Sequence, residues 1–449
     1  MRILVLYPGL YEDRRKLLAP HKWRLKLTRT SLILADDCVH PDDTRVFGDA
    51  LLLPPAERVE EVWRVLAGYL DRHPVEGIVA QSESGLLIGA RVAREYGLPG
   101  PTVESVMATV NKFQTRTRLK AAGIAQPAYE LVRSAAEVKR FAGEHGWPIV
   151  LKAIASSRQR LVSRVDCAED VDAAVEDMLS ALPAARDVVR MQSFAKLDGI
   201  DLGLDPCRQF LVEEFQTGIP LECDAMISGA TPRWFGVCEQ VPCRERGFFI
   251  AGYLLPGRLD AGQQSRVLQV AEDSVRALGL EDTGTSVELR LGRDGPRIIE
   301  VNGRLPWDEG MQELVEASVG AMPAVLALKI AMGRKLSPLR LRRHASLLYR
   351  SNYIAGLVES LPDAEEWKRI TGRAEAAWLF THEGESLLHG DHPDSRPHVA
   401  GVLTAHRKSI RTAFDEGNAM LDRLRIQIQP VQTSKNSPVE ASHRNSILR

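Results

Sequence analysis

A multidomain chain, α/β at its N-terminal end and α+β beyond, is predicted from three observations. Its 449 residues exceed what one compact core serves, since domains usually run to about 100 to 200 residues. Short apolar runs alternate with helical patterns over roughly the first 110 residues, as in a parallel sheet covered by helices. Further along, strand-like runs follow one another across short turns, the mark of hairpins.

Composition narrows the function. Hydrophobic residues at 44% and charged residues at 26% are ordinary for a globular chain and exclude collagen, fibres and wholesale disorder. Lys plus Arg (58) nearly cancels Asp plus Glu (59), so no overall field draws the chain to nucleic acid or to an anionic membrane. The short basic cluster Arg340, Arg342 and Arg343 has no basic stripe around it. Apolar runs such as 50–56 and 324–328 fall far short of the roughly 20 residues of a bilayer span. The opening Met1-Arg2-Ile3-Leu4-Val5-Leu6-Tyr7 lacks the features of a signal peptide and reads as a core strand. Six scattered cysteines are then expected as reduced thiols in a cytoplasmic protein. Cys238 and Cys243 have no partners at zinc-site spacing.

After the first strand, Gly77-Ile78-Val79-Ala80 is a second, followed by Gln81-Ser82-Glu83-Ser84. Leu86, Leu87, Ala90, Val92 and Ala93 then recur at helical spacing until Gly97. Open α/β sheets bind ligands at the carboxyl ends of their strands, which makes Glu83 a site candidate. Its plain alternative is an acidic residue favoured at a helix start. Neither a dinucleotide fingerprint, after Pro8-Gly9-Leu10-Tyr11, nor a P-loop is present.

From Thr102, a good N-cap, one helix is expected to Ala122, with Gly123 and Pro127 as stops. Its Lys112, Arg116, Arg118 and Lys120 read as a solvated face. Pro148-Ile149-Val150-Leu151-Lys152-Ala153 is a strand with a lysine inside an apolar run, and a buried ammonium needs an anion. A strand over 210–215 leads through Gly218 to Glu222 and Asp224. A hairpin follows: 286–291, the turn Gly292 to Gly295, then 297–302. Residues 336 to 430 are a mixed segment with a strand near Ala376 to Phe380 and a late helix from Lys408 to Arg423. His382, His389, His392 and His398 are irregularly spaced and read as surface residues. The stretch after Pro430 is polar, aperiodic and expected to be disordered.

The hairpin carries the sharpest chemistry. Glu300 and Asn302 lie two apart and share a face, with Glu288 on the partner strand. Hard oxygen donors of this kind suit a Mg²⁺ that also holds phosphates. Arg304 follows and can grip a phosphoryl or carboxylate group in two-pronged fashion. Lys112 and Lys152 would balance polyphosphate charge, and Glu213 and Glu222 could accept from an amine or from ribose hydroxyls.

Together, Lys112, Lys152, the linker Val212-Glu213-Glu214-Phe215 with Gly218 and Glu222, and Glu288 followed by Glu300-Val301-Asn302-Gly303-Arg304 resemble the ATP-grasp superfamily. The run from Glu83-Ser84-Gly85 to Pro99-Gly100, with Asn111-Lys112 and Leu119 to Ile124, is similar to its carboxylate-amine ligase branch and to bacilysin-type L-amino acid ligases. The resemblance implies an ATP-grasp fold: an N-terminal Rossmann-like domain over 1–110, lobe A over 111–215, lobe B over 216–335, a C-terminal subdomain over 336–430 and a tail over 431–449.

It also implies ATP and one or two Mg²⁺, or Mn²⁺, as cofactors, small carboxylate and amine substrates, and dimerisation. Lys112 and Lys152 would contact phosphates, with Ser156 and Ser157 in the lid above them. Glu213, Glu214 and the backbone of Phe215 would meet the adenine, and Glu222 the ribose. Glu288, Glu300 and Asn302 would hold the metal, and Arg304 would stabilise the phosphoryl group in transfer. In this family a carboxylate attacks the γ-phosphate and an amine opens the acyl phosphate.

Three departures stand out. The lid reads Ala153-Ile154-Ala155-Ser156-Ser157-Arg158-Gln159-Arg160-Leu161, where glycines are usual so that backbone N–H groups can bind phosphate; Arg158 or Arg160 could supply charge instead. Ser286 stands where the amino acid ligases commonly have histidine. Bulky, acidic Trp307, Asp308 and Glu309 replace small residues, which implies a different acceptor pocket, suited to a cationic or amine-bearing substrate. A carboxylase-like or purine-pathway ligase, and an ATP-binding protein without turnover, are the other readings.

Overall fold

The computed structural model describes residues 1–8, 18, 25–26, 28–157, 159–243, 249–306, 308–389, 395 and 398–431. Expectations for Gly9 to Tyr11, Arg158, Trp307, His392 and the tail from residue 432 lie outside the described residues.

The first sheet is parallel: β1 (Arg2–Leu6), β2 (Ser31–Asp36), β3 (Asp49–Leu52) and β4 (Gly77–Val79), in the order β3-β2-β1-β4. The chain steps outward from β1 to β3 and then returns to the other side of β1. Such a reversal opens a crevice at the strands' carboxyl ends. Glu83 lies there, just past β4, ahead of the helix Leu86–Tyr96, which Gly97 closes in the left-handed conformation at φ 63°. β2 and β3 were not anticipated: β3 is a largely exposed edge strand without an alternating pattern, while β2 is a buried apolar run that was passed over.

The helix expected over 102–122 is two helices, Val103–Val110 and Lys112–Ala121. Asn111 breaks it at ψ 97°, and its side chain accepts from the N–H groups of Phe113 and Gln114, capping the second helix. The break sets Lys112 at a helix start. Nor is this face solvated, since Lys112 and Arg116 are both buried.

A second sheet holds β5 (Tyr129–Val132), β6 (Ile149–Ala153), β7 (Val162–Val165) and β8 (Phe210–Glu214), antiparallel in the order β5-β8-β6-β7. Between β7 and β8 runs the helix Arg186–Asp198, whose Met191 and Phe194 are fully buried. Its far end is tied to the first domain, where Asp198 accepts from Arg91 at 2.9 Å and Arg94 at 2.7 Å.

The large sheet is built from β9 (Ile219–Ser228), β10 (Thr231–Pro242), β11 (Ile250–Leu255), β12 (Gly284–Gly292), β13 (Gly295–Asn302) and β14 (His344–Ser351). Beyond these come β15 (Gly356–Ser360), β16 (Ala376–Leu379), β17 (Ser386–Leu387), β18 (His398–His406) and β19 (Gln427–Pro430). The eight-stranded order is β13-β12-β9-β10-β11-β14-β18-β16, and β17-β15-β19 is a small separate sheet. The large sheet therefore runs unbroken past residue 335. The late helix is Ile410–Arg423, capped by Ser409.

Alternation decides what the cleft receives. Leu221, Cys223, Val287, Leu289 and Val301 enter the core that contains Val267, Ala271 and Val275 of the helix Ala261–Leu278. Glu222, Asp224, Ser286, Glu288, Glu300 and Asn302 consequently take the opposite face. A bulge makes this consistent: Glu288 pairs with Glu300 but Leu289 with Ile298, so Ile299 is the extra residue. Without it Ile298 and Glu300 would share a face. No single helix among the described residues is long and apolar enough to cross a membrane.

Candidate active site

The strand registers set Glu222 beside Glu288 and Glu288 beside Glu300, one row of three carboxylates. Like charges placed directly opposite destabilise a sheet unless cations compensate. The cations come from elsewhere in the chain. Lys112 Nζ lies 2.5 Å from Glu300 Oε1 and also donates to the Ser156 carbonyl at 3.1 Å. Burial opposes the charge on Lys112, yet Glu300, Glu83 and Asp187 hold its pKa above the ordinary lysine value. Burial likewise acts against Glu300, but Lys112 and Lys152 hold its carboxyl below the usual range.

Glu288 is in the opposite state. Burial first, then Glu300 and Glu222, push its carboxyl up to about 8. It is a half-buried carboxylate short of positive charge, two residues across the hairpin from Asn302. Among the described residues no three His, Cys, Asp or Glu side chains already converge as a metal site. Two carboxylates and an amide oxygen nonetheless fit Mg²⁺, which uses few protein ligands and fills its octahedron with phosphate and water.

Next to this row lies a small polar pocket between the first sheet, the lid and the hairpin. Three cation–carboxylate pairs line it: Lys112 with Glu300, Arg304 with Glu83, and Arg190 with Asp187. Arg304 donates from Nε to Glu83 Oε1 at 2.7 Å and from Nη1 to the Leu305 carbonyl at 3.1 Å. Ser156 and Asn302 complete the wall. Residues proposed from sequence on four separate segments thus meet in one place.

Other expected residues are placed differently. Glu213 has both oxygens committed: Oε1 accepts from Arg116 Nε at 2.7 Å, and Oε2 from Arg116 Nη2 at 2.9 Å and Lys152 Nζ at 2.8 Å. Burial would raise its pKa, but Arg116 and Lys152 outweigh that and hold it at about 2. Arg116 also donates to the carbonyls of Ile298 and Ile299, which the bulge exposes. Glu213 therefore ties Arg116 and Lys152 together as part of the frame of the cleft.

Glu222 is also held by protein groups: its oxygens accept from Ser286 Oγ at 3.1 Å and Gln240 Nε2 at 2.9 Å, within the acidic row. Burial and Asp224 raise its carboxyl well above the ordinary value, and burial lifts Asp224 to about 7.

Half-exposed Glu214 accepts from the Ala128 N–H at 3.4 Å and faces Arg297 at 3.6 Å. The Phe215 N–H is spent on the Pro148 carbonyl, and the Arg164 guanidinium lies 4.5 Å over its ring. Ser157 donates to Asp187 at 2.7 Å. The lid backbone turns left-handed at Gln159 (φ 60°) and Leu161 (φ 50°), where glycine would be unstrained.

Beside the residues expected to line an acceptor pocket, Tyr253 donates to Asp308, and Tyr349 donates to the Glu309 carbonyl at 2.5 Å. His398, expected at the surface, stacks on Tyr349 at 4.0 Å, and burial lowers its pKa to about 4.

Sequence reasoning passed over Arg116, Asp187 and Arg190. Arg116 follows Lys112 by four residues, one helical turn, so the two share a face; that spacing was the available signal. Asp187 and Arg190 look like any surface i, i+3 pair.

No family model matches the chain. An uncharacterized protein of Sinorhizobium fredii is 27% identical over 352 residues, covering 78% of this chain and 68% of that protein. An alanine–anticapsin ligase of Bacillus amyloliquefaciens is 23% identical over 258 residues, 57% of this chain; the match spans about half, 52%, of that ligase. Among solved structures, an L-amino acid ligase from Bacillus licheniformis superposes with a TM-score of 0.75 at 19% identity, covering 95% of this chain and 98% of its own.

Proposed function

We propose, for a chain that has the ATP-grasp fold, that it is an ATP-dependent ligase which phosphorylates a small carboxylate and passes the acyl group to an amine. The observation that carries this reading is the convergence of Lys112, Glu300, Asn302 and Arg304 on one pocket, reached from the first sheet by Glu83. Three cations in a buried pocket suit a phosphoryl group in transfer, whose charge spreads over its oxygens. Glu288, Glu300 and Asn302 would hold Mg²⁺, whose contribution is to neutralise phosphate charge.

The residues of this chain bind and orient. Lys112 and Lys152 hold the phosphates at the cleft floor. Arg304, carried at the junction with the first domain, holds the oxygens exchanged between phosphate and carboxylate. The Ser156 lid and the buried walls exclude water, which protects an acyl phosphate from hydrolysis. Catalysis by placement and charge needs no protein nucleophile. The domain boundaries at 110 and 215, a cytoplasmic location and a homodimer belong to the same proposal, whereas the boundary expected at 335 is crossed by the large sheet, in which β11 pairs with β14.

The test is phosphate release from ATP and Mg²⁺ against amino acids singly and in pairs, with mass spectrometry of products. The expected outcome is ADP formation that needs two substrates and a product mass equal to their sum less water. ADP formation driven by bicarbonate alone would give the carboxylase reading instead. ATP binding with silence across the matrix would point to a nucleotide-binding protein without turnover.

A further inference from the structure

The pocket beside the lid is walled by a third ion pair, Arg190 with Asp187, that the proposed function does not use. Arg190 comes from the first turns of the helix Arg186–Asp198, whose other end is clamped to Arg91 and Arg94 of the first domain. Its side chain is only 8% exposed, and it lines the pocket together with Lys112 and Arg304. A guanidinium carries five N–H donors. Among the described residues, its hydrogen bonding to protein is the one from Nη2 to Asp187.

The three pairs are not equivalent. Mg²⁺ at Glu300 would release Lys112 to phosphate. Asp187 has no such exchange partner, but Ser157 donates to its second oxygen at 2.7 Å and fixes it in place. Burial alone would raise the Asp187 carboxyl, yet Arg190, Ser157 and Lys112 keep it below the usual range, so it stays charged and keeps Arg190 oriented. Arg190 therefore keeps N–H donors beyond the one given to Asp187, at the wall it shares with Lys112 and Arg304.

We infer that Arg190 is an anion-binding residue at the transfer point, gripping the terminal phosphoryl group, with Asp187 and Ser157 as its positioning residues. This rests on the ATP reading above and names a residue for it. A two-pronged guanidinium suits phosphoryl and carboxylate oxygens alike, so the substrate carboxylate is the other source of the same chemistry.

The experiment is calorimetry of the full chain with Mg²⁺ and either ADP or a non-hydrolysable imido analogue of ATP, comparing the unaltered protein with Arg190→Gln. Loss of one charged hydrogen bond predicts analogue affinity about tenfold weaker, with ADP affinity unchanged. Asp187→Asn should weaken the analogue about threefold, again sparing ADP. Unchanged analogue affinity with a KM for the carboxylate raised about tenfold would keep Arg190 as the anion site and assign it the substrate.

If neither changes, or if ADP and analogue weaken together, the role of Arg190 is overturned. No ADP binding by the unaltered chain would overturn the ATP reading itself, a distinct result. Should Arg190→Gln fail to fold, Arg190→Lys carries the same test, with a smaller loss for the analogue and none for ADP.

Discussion

Two sets of buried ion pairs lie a few residues apart in one cleft, and they differ in how fully their polar atoms are used. Around Glu213 every oxygen is taken: Arg116 grips it from two nitrogens, Lys152 completes it, and the rest of Arg116 is spent on the Ile298 and Ile299 carbonyls. Around the polar pocket, Lys112, Arg190 and Arg304 each meet one carboxylate and face shared space. The more fully paired cluster acts as a frame joining the second sheet to the hairpin. An unsaturated cluster costs stability in isolation and is retained where a ligand completes it.

The largest effect should come from the unsaturated side. Glu300→Gln keeps the shape, loses one metal-binding charge and releases Lys112 from its partner. Turnover should fall by about a thousandfold, the scale of removing one main electrostatic element, while the thermal midpoint stays close to that of the unaltered chain. Near-normal ADP formation in this variant would end the assignment of the hairpin as a metal site.

Glu213→Gln should do the reverse. It leaves Arg116 and Lys152 buried without a carboxylate, and breaking a buried pair in this way costs about 3 to 5 kcal/mol. Denaturant titration should report that loss. The pH profile sharpens it: a carboxyl held at about 2 in the folded chain contributes stability fully present above its unfolded value near 4.5. That contribution is lost as pH falls toward 2. Glu213→Gln should lack this acid limb, and an unchanged limb would mean that other carboxylates carry it.

Sequence alone could not separate the two sets. Lys152, Glu300 and Asn302 stood out because a lysine inside an apolar run, or an i, i+2 pair of oxygen donors on a strand, demands a chemical reason, whereas Lys112, expected on a solvated face, and Arg304 stood out through their place in the order of motifs. Glu213 and Glu222 satisfied the same rule, since the pattern marks burial and charge but not which partner arrives. Arg116 was misjudged because the expected single helix, capped at Thr102, is broken at Asn111, and the helix that starts there buries Arg116. The bulge at Ile299 was equally hidden. Period-2 reasoning places Glu300 and Asn302 together correctly, but it would put Ile298 with them, whereas Ile298 is in the core. Asp187 and Arg190 depend on where a helix docks, which no local spacing encodes.

Lys152 belongs to both sets and should give the smallest and most discriminating effect. Its ammonium closes the Glu213 cluster at 2.8 Å, and its field also acts on Glu288 and Glu300 across the cleft. Lys152→Ala leaves Arg116 bidentate on Glu213, so the frame should survive with a loss of about 1 to 2 kcal/mol, well below that of Glu213→Gln. If Lys152 also serves phosphate, ADP affinity should fall about tenfold, the worth of one charge-assisted contact. Calorimetry on the folded variant separates the two roles. A stability loss with unchanged ADP affinity would return Lys152 wholly to the frame, and the cleft floor would then hold phosphate through Lys112 alone.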